Sequence, residues 1–561
     1  MRTLYRAGAV FSPGVHARAA GGPDQPRPTG FPAATALLVD DGTVAWLGPD
    51  GEAAALASQV DAVVELGDTL ITPAFVDAHV HTTETGLLLG GLDLHAAGSV
   101  AEILTLVEAA ARRGGGRPIL GQGWDEALLA ERRPPTRAEL DRASAGGVVY
   151  LARVDVHSAV VSSALAAACD ANTVDGWDDT GRVERDAHHA CRAATRGALT
   201  ASARRTAQLA ALTAAAAAGI ATVHEMSAPH IAGDEDLREL LQLAGDPDRA
   251  LPDVVAYRGE LVTDVEEARA VLGRLGVPLA GLAGDLCVDG SVGSRTAAYR
   301  EPYSDAPGRH GHLYLSVEQV RDHVAACTRL GVQAGFHVIG DAAVEVALRG
   351  VRRAAEQVGI AAVRAAGHRL EHVESIDAAG IADLADLGVR ASMQPAFDAL
   401  WGGPAGMYAE RLGAARALAM NPIAALMSAG VPVALGSDSP VTRFDPWGAV
   451  RGCIAHHAET QRLDARAAFS AHTVGGHRLA RGAGRPGTVP GTHAEPTGGA
   501  DPNAGTIAVG TPATFAVWAT GAGDLRGGLP DLGDPGDPGA GTPAPSCLLT
   551  VGRGRVLHDA R

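Results

Sequence analysis

Several apolar segments of this chain end in a side chain that can bind a metal ion. Residues 71–78 run directly into the tripeptide His79-Val80-His81. Alternate residues of a β-strand point to the same side, so the two imidazoles can bind one cation without bending the backbone. Three later apolar segments end in His337, His372 and Asp438. This recurrence predicts a metal site assembled from strand ends that are distant in sequence.

Between positions 71 and 469, apolar strand patterns alternate with helical patterns. Parallel strands that close into a barrel bring their carboxyl ends to one rim, the face on which (β/α)8 barrels carry their chemistry. Eight strand–helix units predict such a TIM-like barrel, and an open doubly wound parallel sheet is the alternative. The predicted strands end near Val80, Val223, Ala256, Val288, Phe336, Glu371, Met393 and Gly436.

Both ends of the chain contain short strand patterns without helices between them. Residues 35–39 and 43–47 flank a turn with the sequence Asp-Asp-Gly, which is typical of a β-hairpin. Similar apolar runs return at 513–518 and 548–557. Because chain ends usually lie close together, we predict one small β-sandwich domain built from both termini.

These patterns divide the chain into three predicted units. The β-sandwich takes residues 1–70 and 470–561, and the barrel takes residues 71–81 and 206–469. Residues 82–205 are too many for a loop between strand and helix, so we predict an inserted α+β subdomain above the rim. Within the β-sandwich unit, the Gly- and Pro-rich stretches 481–506 and 519–546 are predicted loops.

Composition narrows the classes of partner. The 561 residues are 46% hydrophobic and 20% charged, as in a soluble globular protein, and carry a formal charge of −17, which disfavours nucleic acid. The absence of a long apolar run, the polar amino terminus and six scattered cysteines predict a cytoplasmic protein without a membrane partner. We expect a small-molecule substrate and leave a homodimer open.

The chain contains no lysine, so all 47 basic residues other than histidine are arginines. A Schiff-base lysine, a phosphate-binding lysine and a carboxylated lysine that bridges two metals are therefore excluded.

Several segments together resemble the amidohydrolase superfamily. Within it they are similar to the amidohydrolase-3 branch, sometimes called YtcJ-like, which includes N-substituted formamide deformylase. The resemblance implies a metal-dependent hydrolase barrel that acts on carbon–nitrogen bonds other than peptide bonds. It is carried by residues 73–81, 123–125, 134–137, 153–157, 288–297, 337–341, 368–372 and 436–440.

The chain departs from the branch on the fourth strand. Many members carry a carboxylated lysine there that bridges two metals, and the matching position is Asp285. Positions 285, 287 and 289 are expected to share a strand face, so Asp285 or Cys287 is a candidate replacement ligand. Neither side chain reaches as far as a carboxylated lysine, so we predict one divalent ion per chain, zinc in an imidazole-rich shell.

The candidate metal ligands are the residues at the strand ends. Asp438 is also the candidate general base, which takes a proton from water and passes it to the leaving nitrogen. Either His337 or His372 is also a candidate substrate contact in place of a metal ligand. His372 is the next candidate base, and His157 is a candidate oxyanion or substrate contact. The predicted ligands are His79, His81, His337, His372 and Asp438.

Three further residues are candidate substrate contacts, each with a structural alternative. Arg295 either clamps a substrate carboxylate or forms a structural ion pair. Trp124 either lies over the metal or belongs to the core of the insertion, and Asp341 is either catalytic or a helix N-cap.

The leading function is hydrolysis of an amide or formamide-type bond of a small molecule by a metal-activated water. The alternative within enzymes is a single-metal deaminase of a cyclic amidine or aminated heterocycle. A barrel that binds ligands without catalysis is the third hypothesis, and the intact set of candidate ligands argues against it.

Overall fold

A computed structural model describes residues 1–13, 34–480, 503–520, 525–533 and 543–561. Eight parallel strands form its central sheet, and spatial neighbours follow chain order. The strands are β1 Phe75–Val80, β2 Ile220–Ser227, β3 Asp253–Arg258, β4 Gly281–Leu282, β5 Gln333–Val338, β6 Arg369–His372, β7 Arg390–Met393 and β8 Val433–Leu435.

The first and last strands are joined at the rim. The backbone N–H of Asp438 donates to the His79 carbonyl at 2.8 Å, and the N–H of His81 donates to the Ser439 carbonyl at 2.8 Å. Gly436 permits this approach, because a Cβ there would lie 2.7 Å from the His79 nitrogen. The predicted (β/α)8 barrel is confirmed, and the open sheet is wrong.

The fourth strand is shorter than predicted. Its regular pairing ends at Leu282, and Gly284 follows with a φ of +94°, a conformation that favours glycine. The prediction that positions 285, 287 and 289 share one strand face is therefore wrong, because that segment is not a regular strand. Only an isolated bridge joins Cys287 to His337 on β5.

Helices cover the outside of the barrel. Val317–Leu330 begins at a capping box, in which Ser316 and Gln319 satisfy each other's backbone N–H groups. The remaining helices of this region are Ala201–Ala217, Asp234–Ala244, Val265–Leu275, Asp341–Val358, Ile360–Ala366, Ala378–Leu387, Pro395–Trp401, Met407–Leu412, Ala414–Leu418, Ile423–Ser428, Pro446–Ile454, Ala465–Ala471 and Val474–Leu479.

Residues between β1 and the helix Ala201–Ala217 form a separate sheet with its own helices. In spatial order its strands are Arg182–Glu184, Ser158–Val161, Val149–Arg153, Ile119–Trp124 and Leu92–Asp93. The helices are α1 Thr82–Gly90, Val100–Gly114, Arg137–Ala143, Ser163–Ala168 and α2 Arg185–Gly197.

Strands from both chain ends pair with each other. One sheet has the order Thr43–Gly48, Ala36–Asp40, Arg2–Arg6 and Ala62–Glu65, and the second has the order Ala9–Val10, Leu70–Pro73, Phe515–Ala519, Ser546–Gly552 and Arg555–Asp559. The predicted hairpin is confirmed by the antiparallel pairing of Ala36–Asp40 with Thr43–Gly48. A short helix, Asp50–Leu56, and the strand pair Leu525–Arg526 and Leu529–Pro530 complete this part.

Much of the two predicted Gly- and Pro-rich loops, at 481–502, 521–524 and 534–542, lies outside the described residues. Among the described residues, every helix is too short or too polar to cross a bilayer.

Candidate metal centre

His79 is held in place at the rim by a chain of polar contacts. It lies at the end of β1 with no exposed surface, and its Nδ1 lies 3.0 Å from Glu371 Oε2. Arg369 holds the Glu371 carboxylate in turn, through contacts of 2.5 and 2.9 Å. This chain fixes the imidazole so that Nε2 faces the centre of the rim, an arrangement common among metal-binding histidines.

The Asp285 carboxylate lies among all four rim histidines. Its nearest distances are 3.1 Å to His81 Nε2, 3.4 Å to His79 Nε2, 3.6 Å to His337 Nδ1 and 4.0 Å to His372 Nε2. Asp285, one of the two candidate replacement ligands, therefore reaches the centre although its side chain is shorter than a carboxylated lysine. The irregular segment after Gly284, rather than a regular strand, carries this carboxylate to the rim.

Asp438 completes the cluster from the end of β8. Its Oδ1 lies 3.4 Å from His79 Nε2 and 3.3 Å from His81 Nε2. Ser437, the residue before Asp438, donates its backbone N–H to the Asp77 carboxylate on β1 at 2.9 Å. This hydrogen bond ties the loop after β8 to β1. The backbone therefore brings the ligands of the first and last strands together.

Polar neighbours also orient the two later histidines. His372 Nδ1 lies 2.8 Å from Gln394 Oε1, and His337 Nε2 lies 3.2 Å from the Gly290 carbonyl. In each ring the other nitrogen faces Asp285.

The chemistry of these groups fits a divalent cation. Among the described residues, His79 Nε2, Asp285 Oδ1 and His337 Nδ1 are buried and have no hydrogen-bond partner, which is unfavourable unless another group satisfies them. Two sets of three side chains each offer ligand atoms that lie within 4.8 Å of one another inside the set. Both sets contain His79. The sets are His79 with Asp285 and His372, and His79 with His81 and Asp438.

Cys287 belongs to neither set of donors. Its thiol donates to the Asp285 carbonyl at 3.6 Å, and burial raises the pKa of the thiol well above its usual value. Of the two candidate replacements for the missing lysine, the structure therefore places Asp285 in the centre.

Electrostatics show that the centre demands positive charge. Burial lowers the pKa of His81, but the Asp285 and Asp438 carboxylates outweigh burial and raise it to about 10. The same carboxylates raise the pKa of His79 well above its usual value. Burial acts to raise the pKa of Asp285, but His79 and His81 hold it well below its usual value.

The sequence model of a protein family, described as "Amidohydrolase family", matches residues 62–557 of this chain. The chain belongs to the amidohydrolase family. Its curated relatives include the putative amidohydrolase YtcJ of Bacillus subtilis, 27% identical over 70% of this chain and 74% of the relative. The N-substituted formamide deformylase of Arthrobacter pascens is 24% identical over 74% of this chain and 80% of the relative.

A solved structure of an uncharacterized metal-dependent hydrolase from Pyrococcus horikoshii has the same fold as this amidohydrolase. It superposes with a TM-score of 0.69 at 24% identity and covers 92% of this chain and 97% of its own. The family match establishes the coarse class, a hydrolase of the amidohydrolase family.

His157 of this amidohydrolase lies beside the centre. Its ring centre is 5.1 Å from that of His337, and it lines the cavity above the rim. Burial and the neighbouring His337 lower its pKa to about 4, so the ring is uncharged at neutral pH. An uncharged imidazole in this place can donate to, or accept from, a bound substrate.

The three remaining predicted substrate contacts have other partners. Arg295 forms an ion pair with Asp305 at 2.5 Å. Trp124 is fully buried in the core of the insertion, where its indole N–H donates to the Leu151 carbonyl at 2.8 Å. Asp341 accepts the backbone N–H of Arg300 at 2.9 Å, and the N-cap of its helix is the preceding glycine. Each carries a structural contact, and none of the three lines the cavity.

Sequence reasoning missed the residues that hold the ligands in place. Glu371 shares a strand face with Arg369 at a spacing of two, a pattern that marks an inward-facing ion pair next to a ligand. Asp289 accepts three backbone N–H groups from the loops around β5, and burial raises its pKa to about 6. No pattern in the sequence singles out Gln394.

Proposed function

We propose that this amidohydrolase hydrolyses an amide or formamide-type carbon–nitrogen bond of a small molecule with one bound zinc ion. His79, His81, Asp285 and Asp438 hold the ion, and the ring nitrogens of His337 and His372 lie 3.6 and 4.0 Å from the Asp285 carboxylate. The observation that carries the proposal is the convergence of histidine and carboxylate donors, several without other partners, at the mouth of a cavity.

A single tightly bound ion follows from the bonding of His79. Its Nδ1 faces Glu371, so only Nε2 is free to bind a metal. Both sets of donors require this one atom, so they compete for His79 and do not describe two independent sites. Zinc is the proposed ion because neutral imidazole nitrogens favour it over magnesium or calcium.

The rim residues divide the chemistry between them. When bound, zinc supplies a nucleophilic water near neutral pH and polarises the substrate carbonyl. Asp438 accepts the proton of the attacking water and passes it to the departing nitrogen. Glu371 keeps His79 in the tautomer with a free Nε2, and His157 contacts the substrate oxygen from the cavity wall.

Elemental analysis of purified protein tests the metal proposal, and we expect about one zinc ion per chain. Asp285→Asn should lower the zinc content, whereas Asp464→Asn, which keeps a helix-capping side chain on the outside of the barrel, should not. Two stoichiometric ions would overturn the single-ion proposal.

A release assay over formamides, N-acyl amines and cyclic amidines tests the substrate class. Release of a free amine from an amide supports the proposal. Release of ammonia from cyclic amidines alone would favour the deaminase, and no turnover by zinc-loaded protein on any amide would contradict amide hydrolysis.

A further inference from the structure

The cavity above the metal centre lies between the barrel rim and the inserted sheet. Its volume is about 370 Å³, which suits a small molecule. Its wall includes His81 and Asp285 from the rim and Arg192 from α2. A molecule held by Arg192 therefore shares the cavity with the metal centre.

Arg192 is buried without a carboxylate partner. It is 7% exposed, and its Nη2 donates to the Val156 carbonyl at 2.6 Å. The guanidinium also interacts with the Tyr150 hydroxyl, while its buried Nε has no hydrogen-bond partner. Glu84 is the nearby acid, but its carboxylate is bound by Arg196. Within the described ranges, no acidic side chain lies within ion-pair distance of Arg192.

The other buried arginines of the described ranges show that Arg192 is an exception. Burying a guanidinium is unfavourable unless a carboxylate or phosphate pairs with it. Arg258 pairs with Asp234 at 2.8 Å, and Arg369 pairs with Glu371 at 2.5 Å. Arg153 and Arg411 each contact more than one carboxylate.

Away from the metal centre, the other ionisable groups that line this wall are uncharged, ion-paired or exposed. Burial lowers the pKa of His189 to about 4, and it lowers those of His188 and His230 well below their usual values. Arg185, which also lines the cavity, pairs with Asp175 at 2.5 Å. Asp186 lines the cavity as well, but it is exposed on the first turn of α2.

We propose that Arg192 binds a carboxylate of the substrate, so that the preferred substrates are small amides carrying a carboxylate on the part held away from the metal. This inference rests on the proposed amide hydrolysis. A guanidinium fork matches a carboxylate through two parallel hydrogen bonds, and Arg192 lines the cavity without a carboxylate partner among the described residues. The sequence offered Arg295 as a candidate contact for a substrate carboxylate. The proposal gives that role to Arg192, a residue of the insertion.

The activity test compares N-formyl amino acids with their neutral primary amides, using one to three carbons between nitrogen and carboxylate. For at least one length, zinc-loaded wild type should prefer the acid by about 10-fold or more in kcat/KM, the range for a charge-assisted hydrogen bond. Arg192→Met should remove the preference mainly through KM, and Arg192→Lys should retain part of it. The exposed Arg205→Met on the following helix is the matched control and should keep the preference.

A binding test separates this inference from the proposed function. Butanoate and butanamide are titrated calorimetrically into zinc-loaded wild type, Arg192→Met and Arg205→Met, with thermal unfolding run on each variant. Tighter binding of butanoate that disappears only in Arg192→Met supports the carboxylate site, even if no amide is hydrolysed. Equal turnover of acids and amides, or butanoate binding unchanged in folded Arg192→Met and Arg192→Lys, would overturn it and leave amide hydrolysis standing.

Discussion

Two buried charge clusters lie near the barrel mouth, and they obtain their positive charge in different ways. In the rim cluster, Asp285 and Asp438 face histidines alone. In the second cluster, Arg153 contacts Asp125 and Asp155 at 2.9 and 3.0 Å.

The second cluster needs no added cation, because its positive charge is part of the chain. Arg153 also pairs with Glu126 at 2.8 Å, and Asp155 accepts the hydroxyl of Ser291 at 2.6 Å from the loop after β4. The rim cluster still has buried donor atoms without partners. We infer that the arginine cluster fixes the insertion to the barrel, whereas the proposed zinc ion would supply the positive charge of the rim cluster.

The largest expected effect comes from removing the histidines of β1. His79→Ala with His81→Ala should abolish zinc binding and reduce turnover to background while the barrel still folds, since the site lies above the stacked core. Elemental analysis, activity and circular dichroism check this. His310→Ala with His312→Ala, at the same spacing in a loop, is the matched control. Unfolding of the β1 double variant would show that the cation is structural.

Removing Arg153, the cation of the second cluster, should lower the stability of the fold rather than the metal content. Arg153→Met leaves three buried carboxylates without their shared partner, so we expect a loss of about 3–5 kcal/mol in the free energy of unfolding. Urea denaturation measures it, with the exposed Arg113→Met as control. A variant as stable as wild type would remove the contrast between the two clusters.

The third prediction concerns the proton acceptor of the rim. Asp438→Asn keeps the size of the side chain but removes the base, so turnover should fall by about 10²-fold, or about 2.7 kcal/mol in the barrier. Steady-state kinetics at saturating zinc measures it, and Asp464→Asn serves as the matched control. Wild-type turnover would reassign the base, with His372 the next candidate.

The same contrast explains what the sequence could predict. The rim histidines and Asp438 were predictable because each follows an apolar strand, and barrel topology brings strand ends together. The central place of Asp285 was not, because it depends on a backbone turn at Gly284 that interrupts the expected strand. Arg192 carries no local signal, since only the packing of α2 on the inserted sheet reveals that it has no carboxylate partner among the described residues.

The smallest expected effect is a pH dependence confined to the arginine cluster. Burial acts to raise the pKa of Asp155, but Arg153 outweighs burial and lowers it to about 2. Because the folded pKa lies below the unfolded value of about 3.9, this carboxylate stabilises the fold fully above pH 4 and loses that contribution as the pH falls toward 2. Between pH 4 and pH 2, the free energy of unfolding should therefore fall by about 2 kcal/mol less in Asp155→Asn than in the wild type.

Urea denaturation at several pH values in this window measures the difference, and the exposed Asp248→Asn provides the control. The absolute stability of Asp155→Asn will be lower at every pH, because Arg153 loses part of its charge compensation, so the slope with pH is the informative quantity. Equal slopes in the variant and wild type would mean that Arg153 does not hold Asp155 ionised, and the arginine cluster would then lack the fixed charge balance that distinguishes it from the rim.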